Sequence, residues 1–242
     1  LRYDFCKSYY GRVNGRMYGR VTRLFVIPLL RALIEVCGRS PLLEFLEEFR
    51  YPLSGEFVIS TELASRVAMP GDWGLEVGLL GEVYRGTSAE RICQVALGSN
   101  FDHKHQELGL PAEDQGPAEG QGLQRMAAEI AASLFADARD EGLRLCPSSL
   151  AQVGRAYTEI AEGLIRRYHH DSIANGLLYS GVDEHAAVEV FSRVLGRVAR
   201  QVTKDEEAPR PKLPPWGEVL RRDPAIGDEL IEAVRQDNRA LD

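Results

Sequence analysis

Gly74-Leu75-Glu76-Val77-Gly78-Leu79-Leu80-Gly81-Glu82-Val83-Tyr84, followed six residues later by Arg91-Ile92-Cys93-Gln94-Val95-Ala96-Leu97, decides the fold class. The first run begins with the spacing of a helix and the second is a short apolar stretch of strand length. Working upstream, residues 56–60 read as a buried strand, closed by a Ser60/Thr61 cap and a short helix through Val67. Residues 22–37 again return apolar side chains at helical spacing, with Thr22 as N-cap and Gly38 as stop. Pro28 either delays that helix or kinks it. Strands and helices therefore interleave, which predicts an α/β fold.

Downstream the composition changes. Residues 109–122 collect Gly, Pro, Glu and Gln with no apolar period, so 110–122 reads as a linker between a first unit, 1–109, and a helical region, 123–242. Three helical patterns follow, at 123–139, 148–168 and 183–202. A Pro-rich charged connector at 204–215 precedes one more exposed helix at 226–239. There is no internal repeat. Arg and Glu on the outer faces of these helices fit either a solvated surface or an oligomer contact such as a homodimer.

With 242 residues, 44% of them hydrophobic, the chain can bury a sizeable core. Its formal charge of −7 disfavours generic nucleic-acid binding, yet 25 of its 29 basic residues are Arg, which suits local recognition of phosphate or carboxylate. The longest apolar run, residues 24–30, is flanked by Arg23 and Arg31 and falls far short of the ~20 residues a membrane helix needs. Cys6, Cys37, Cys93 and Cys146 are scattered and form no CxxC pair, so reduced thiols and a cytoplasmic location are expected. The first residues carry neither an initiator Met nor a signal-peptide core, and we expect the chain to begin in mid-domain.

Three stretches could carry chemistry. Gly15-Arg16-Met17-Tyr18-Gly19-Arg20-Val21-Thr22 stands before a helix, where glycines allow close approach, the helix start offers free N–H donors and Arg20 adds charge. The alternative is a plain loop-to-helix junction. Glu76 is either an acid favoured by a helix dipole or a buried carboxylate aimed at a ligand hydroxyl. In Asp102-His103-Lys104-His105-Gln106, just past a strand end, an imidazole could complete a metal shell begun elsewhere, or the segment is a polar loop. His169, His170 and His185 have no HExxH spacing, no GxSxG elbow occurs, and no cysteine has a nearby histidine partner.

The order of the pieces adds a resemblance. Lys7-Ser8-Tyr9-Tyr10, Gly19-Arg20-Val21-Thr22, Pro28-Leu29-Leu30, Pro52-Leu53-Ser54-Gly55-Glu56, Gly74-Leu75-Glu76-Val77-Gly78-Leu79-Leu80 and Leu97-Gly98 with His103 resemble the glucosyl-3-phosphoglycerate synthase family. The closely similar mannosyl-3-phosphoglycerate synthases share the run, which covers about the first 109 residues. The resemblance implies the C-terminal, acceptor-side half of a GT-A glycosyltransferase domain followed by an all-helical extension. The implied reaction transfers glucose, with retention, from a nucleotide-sugar donor such as UDP-glucose to the 2-hydroxyl of 3-phosphoglycerate.

By the same resemblance Gly19, Arg20, Val21 and Thr22 hold 3-phosphoglycerate, Glu76 contacts the donor sugar, and His103 completes the shell of a divalent metal, Mg or Mn. The nucleotide-binding half with its DxD is expected ahead of Leu1. Two positions depart from the pattern. Ser99-Asn100-Phe101-Asp102 replaces the basic residue that some members carry before the metal histidine, a place Lys104 could take. Trp73 stands where some members have Tyr, and fits either stacking under a sugar or core packing. The helical region matches the family only loosely, through Asn175-Gly176-Leu177-Leu178-Tyr179, and is assigned packing or dimerisation. From a different class, the competing reading is a non-catalytic helical interaction protein with a degenerate transferase segment.

Overall fold

Strand β1, Phe5–Tyr9, lies at the centre of a three-stranded sheet, antiparallel to β2, Phe57–Ile59, and parallel to β4, Ile92–Ala96. The structure, a computed structural model, describes residues 2–98, 122–204 and 212–239. His103, Lys104 and nearly all of the expected linker lie outside them. β2 and β4 fall where the sequence predicts strands, but β1 has no counterpart among the expected elements. Its alternation is sound, with Phe5 and Lys7 both buried on one face, but an inward lysine disguises it.

The helix expected at 22–37 starts earlier and differently. Residues Val21–Val26 form a π-helical stretch that runs directly into α1, Ile27–Cys37, which Gly38 ends at φ 94°. Thr22 is not the N-cap: it is buried inside the helix, and the flanking Arg20 makes no side-chain capping bond. Pro28 accounts for the irregular start. Having no N–H, it cannot bond the Leu24 carbonyl four residues back, so an α-helical ladder fails there and the wider π spacing takes over. The Tyr157 hydroxyl, from the helical region, donates to that carbonyl at 2.8 Å.

Two short helices complete the first part. α2, Pro41–Glu47, starts on a first-turn proline, and α3, Thr61–Ala64, is capped as expected by Ser60, whose Oγ accepts from the Leu63 N–H. β3, Met69–Pro70, leads through a tight loop to α4, Leu75–Gly86. Here two glycines are required by contact: a Cβ at Gly74 would lie 2.1 Å from Ser133 Oγ, and one at Gly78 would lie 2.5 Å from the Pro70 ring. They let α4 close simultaneously on β3 and on the next helix.

That helix is α5, Gly122–Asp140, followed by α6, Pro147–Ala174, and α7, Gly181–Lys204. All three occur where apolar periodicity predicts them, α6 running past residue 168. Phe25 shows how they join the first part: its ring centroid is 5.8 Å from that of Tyr157 on α6 and 5.2 Å from that of Phe191 on α7, and all three side chains are buried. The core is therefore continuous from α1 through α5, α6 and α7.

The expected connector at 204–215 includes a further strand. β5, Lys212–Leu213, pairs antiparallel with β3, and Lys212 Nζ reaches Glu82 on α4 at 2.9 Å. α8, Trp216–Arg222, follows, with the Gly217 N–H on the Ser65 carbonyl, and then α9, Ala225–Arg239, which is exposed as expected. No described helix is long and apolar enough to cross a membrane.

Candidate functional site

A cavity of about 590 Å³ opens where β1 runs out into the loop before the π-helical turn. Gly19, Arg20, Val21, Thr22, Trp73 and Glu76, separated by up to 57 residues in sequence, all line it. Gly19 adopts φ 76°, a left-handed conformation that only glycine enters without strain, and so turns the loop into the helix start. The first N–H groups of that helix have no carbonyl within it to bond, which makes its start a place for anions. Val21 and Thr22 are themselves buried, so their backbone, rather than exposed side chains, is what this end can offer.

Arginine dominates the loop. Arg12 and Arg16 line the cavity with Arg20, and Arg12 Nη1 lies 3.4 Å from the Tyr51 hydroxyl. Arg20 is not a lone surface cation. Its Nε donates to Glu184 Oε1 at 2.8 Å, and Arg23 Nη1 donates to Glu184 Oε2 at 2.9 Å. Three guanidiniums thus line the cavity, and each planar fork can bond two oxygens of an anion.

Two carboxylates, Glu56 and Glu76, line the same cavity. Glu76, in the first turn of α4, is half-buried, and its Oε2 is enclosed with no hydrogen-bond partner among the described residues. Burial holds its carboxyl above the ordinary range, opposed by the Lys7 ammonium. Lys7 is 1% exposed; its Nζ donates to the Ser54 carbonyl at 2.5 Å and sits 5.6 Å from the centre of the Phe57 ring. Burial lowers its pKa to about 8, against the attraction of Glu76 and Glu56. An enclosed carboxylate oxygen without a donor is able to accept a hydrogen bond.

Trp73 lines the cavity at 40% exposure, its backbone N–H donating to Glu129 Oε2 at 2.9 Å. Its exposed face is available for stacking. Among the described residues no three His, Cys, Asp or Glu side chains converge as a metal-binding group.

Tyr10, Arg12, Glu56 and Lys7 border or underlie this cavity without having been singled out from sequence for any chemistry. Nothing local in Phe5-Cys6-Lys7-Ser8-Tyr9 marks Lys7, whose inward position is set by the fold. Glu184 had no local signal, being 164 residues from Arg20. His169 and His170 lie on α6 away from the cavity lining, and His185 pairs with Glu162. A second cavity, about 600 Å³, runs between α6 and α7 and is lined largely by small and apolar residues, among them Ala151, Gly154, Leu195 and Gly196.

No family model matches the chain. Among curated proteins, the glucosyl-3-phosphoglycerate synthase of Persephonella marina is 38% identical over 238 residues, and that of Methanococcoides burtonii is 37% identical over 243. Each match covers 98% of this chain, and the chain spans 57% of the length of either relative. A solved structure of glucosyl-3-phosphoglycerate synthase from Mycobacterium tuberculosis, in complex with Mn2+, uridine-diphosphate-glucose and phosphoglyceric acid, is 26% identical over 59% of this chain and 40% of its own, with a TM-score of 0.40. Matched over almost all of its own length and rather more than half of theirs, this chain is a homologue of the glucosyl-3-phosphoglycerate synthases.

Proposed function

We propose that this chain forms the acceptor and sugar-contacting part of a retaining GT-A glucosyltransferase, which moves glucose from a nucleotide donor to the 2-hydroxyl of 3-phosphoglycerate in the cytoplasm. One observation carries the proposal: a single cavity sets Arg12, Arg16, Arg20 and a helix start against an enclosed carboxylate and an exposed indole. The name and 38% identity of the Persephonella marina relative support it.

In this mechanism the helix start and Arg20 bind the phosphate and carboxylate of the acceptor, and so hold its hydroxyl toward the sugar. Glu76 accepts hydrogen bonds from sugar hydroxyls, contacts that favour reaction to the extent that they tighten as the glycosidic bond breaks. Trp73 offers a face to the ring. A divalent metal, Mg or Mn, belongs to the proposal through the family resemblance, with His103 as a ligand; bound, it would offset charge on the diphosphate of the departing nucleotide. The described residues gather no such ligand group.

The test is steady-state kinetics of the complete enzyme, in which a nucleotide-binding part accompanies this chain. Glucose transfer to 3-phosphoglycerate is expected, and Arg20→Ala should weaken acceptor binding by roughly 2–4 kcal/mol, since a desolvated charged contact is lost. Unchanged acceptor KM and kcat in Arg20→Ala would overturn the assignment of the cradle.

A further inference from the structure

Glu184 stands at the start of α7, in the region that sequence assigns to packing or dimerisation, yet it is 4% exposed and divides its carboxylate between Arg20 of the cradle and Arg23 just beyond it. Oε1 takes the Nε of Arg20, and Asp183 lies 3.6 Å from Nη2 along the same edge of that guanidinium. Oε2 takes Arg23 Nη1. Arg23 is fixed on its other sides as well: Nε donates to the Tyr18 carbonyl at 2.9 Å, Nη2 reaches the Met17 carbonyl at 3.4 Å, and the guanidinium lies 4.7 Å from the Tyr168 ring centre. The turn before α7 adds a backbone clamp, the Leu178 N–H donating to the Gly15 carbonyl at 2.8 Å. The loop that carries the cradle is therefore held from both ends by the α6–α7 corner.

We propose that Glu184 is a positioning residue for acceptor binding: it grips Arg20 at Nε, so that a guanidinium lining the cavity is already ordered when an anionic ligand arrives. This rests on the proposed function above. The physical gain is preorganisation, because an arginine that is free to rotate must lose that freedom when the ligand arrives. The pairing also resolves an apparent conflict. A buried carboxylate beside an anion site would repel the ligand if it stood alone, but Arg20 and Arg23 balance Glu184 and the more exposed Asp183, so the positive charge of Arg12 and Arg16 at the cavity is not cancelled.

The experiment is a double-mutant cycle in the complete enzyme, with 3-phosphoglycerate varied. Glu184→Gln should raise the acceptor KM about 10-fold or more while kcat and the donor KM stay within about twofold. In an Arg20→Ala background the same substitution should add less than about twofold, because the residue through which it acts is gone. Thermal midpoints measured alongside report folding. Should Glu184→Gln fail to fold, Glu184→Asp keeps the charge but withdraws it by one methylene, and an intermediate rise in acceptor KM is expected. An unchanged or lower acceptor KM in the folded variant, or a full effect persisting without Arg20, overturns the role of Glu184. If Arg20→Ala itself leaves the acceptor KM unchanged, the cradle and the positioning role fall together; if it raises the KM while Glu184→Gln does not, only the positioning role falls.

Discussion

Two cavities of almost equal volume, about 590 Å³ beyond β1 and about 600 Å³ between α6 and α7, differ in what they leave unsatisfied. The first is lined by three arginines, two glutamates and an exposed indole, with a carboxylate oxygen that has no donor among the described residues. The second is lined mostly by alanine, glycine, leucine and hydroxyl side chains, with its charges on Arg155, Glu159 and Arg200. Volume thus says little about where chemistry lies. Convergent charge kept from water costs folding energy, and it persists where binding repays the cost.

The contrast breaks most readily at Glu76. If its enclosed carboxylate contacts the sugar, Glu76→Gln in the complete enzyme should lower kcat about 10- to 1000-fold, or ~1.4–4 kcal/mol of transition-state stabilisation. Because burial raises the folded-state pKa of Glu76, ionising it opposes folding at neutral pH, so the variant should melt no lower than the parent. A variant that melts several degrees lower with near-normal turnover would make Glu76 a helix-start acid and no more.

Lys7 sharpens the same comparison through pH. Its folded-state pKa of about 8 lies below the ordinary lysine value of 10.5, so between those limits the unfolded chain binds more protons and stability should rise with pH. The advantage of the parent over Lys7→Met should therefore grow by about 3 kcal/mol at most from pH 8 to 10.5. Denaturant titrations at several pH values measure it; parallel pH profiles for the two proteins would place the lysine in ordinary solvent.

The smallest effect is expected in the second cavity. A Cβ at Gly154, in the middle of α6, would meet no atom within 4 Å. Gly154→Ala should stabilise the protein by about 0.4–1 kcal/mol by restricting the unfolded chain, with turnover unchanged. A loss of activity there would show that the two cavities are not as different as their linings suggest.

What could be read from the sequence follows from how local each signal is. α5, α6 and α7 were legible because each repeats its apolar face over several turns, and the Ser60 cap because it acts three residues away. β1 was hidden by Lys7, whose burial depends on the distant Ser54 carbonyl. The irregular start of α1 was legible only as a choice at Pro28, since its resolution needs the hydroxyl of Tyr157, 133 residues away. In the same way glycine spacing and family resemblance marked Arg20 and Glu76, while the partner that orients Arg20 belongs to α7. Whatever His103 and Lys104 do lies outside the described residues.

The pairing of Met69–Pro70 with Lys212–Leu213 has a temporal consequence. These strands are about 140 residues apart, and the loop bearing Trp73 follows the first of them directly. On the ribosome, α1 and α4 emerge long before β5 exists, so the edge of β3 waits unpaired until nearly all of this chain has been synthesised. The strand that leads into the cavity loop is thus among the last parts to be paired. A chain interrupted before Lys212 would keep its arginine cradle but lack the strand that holds Met69 and Pro70, leaving that edge open to pairing with other chains.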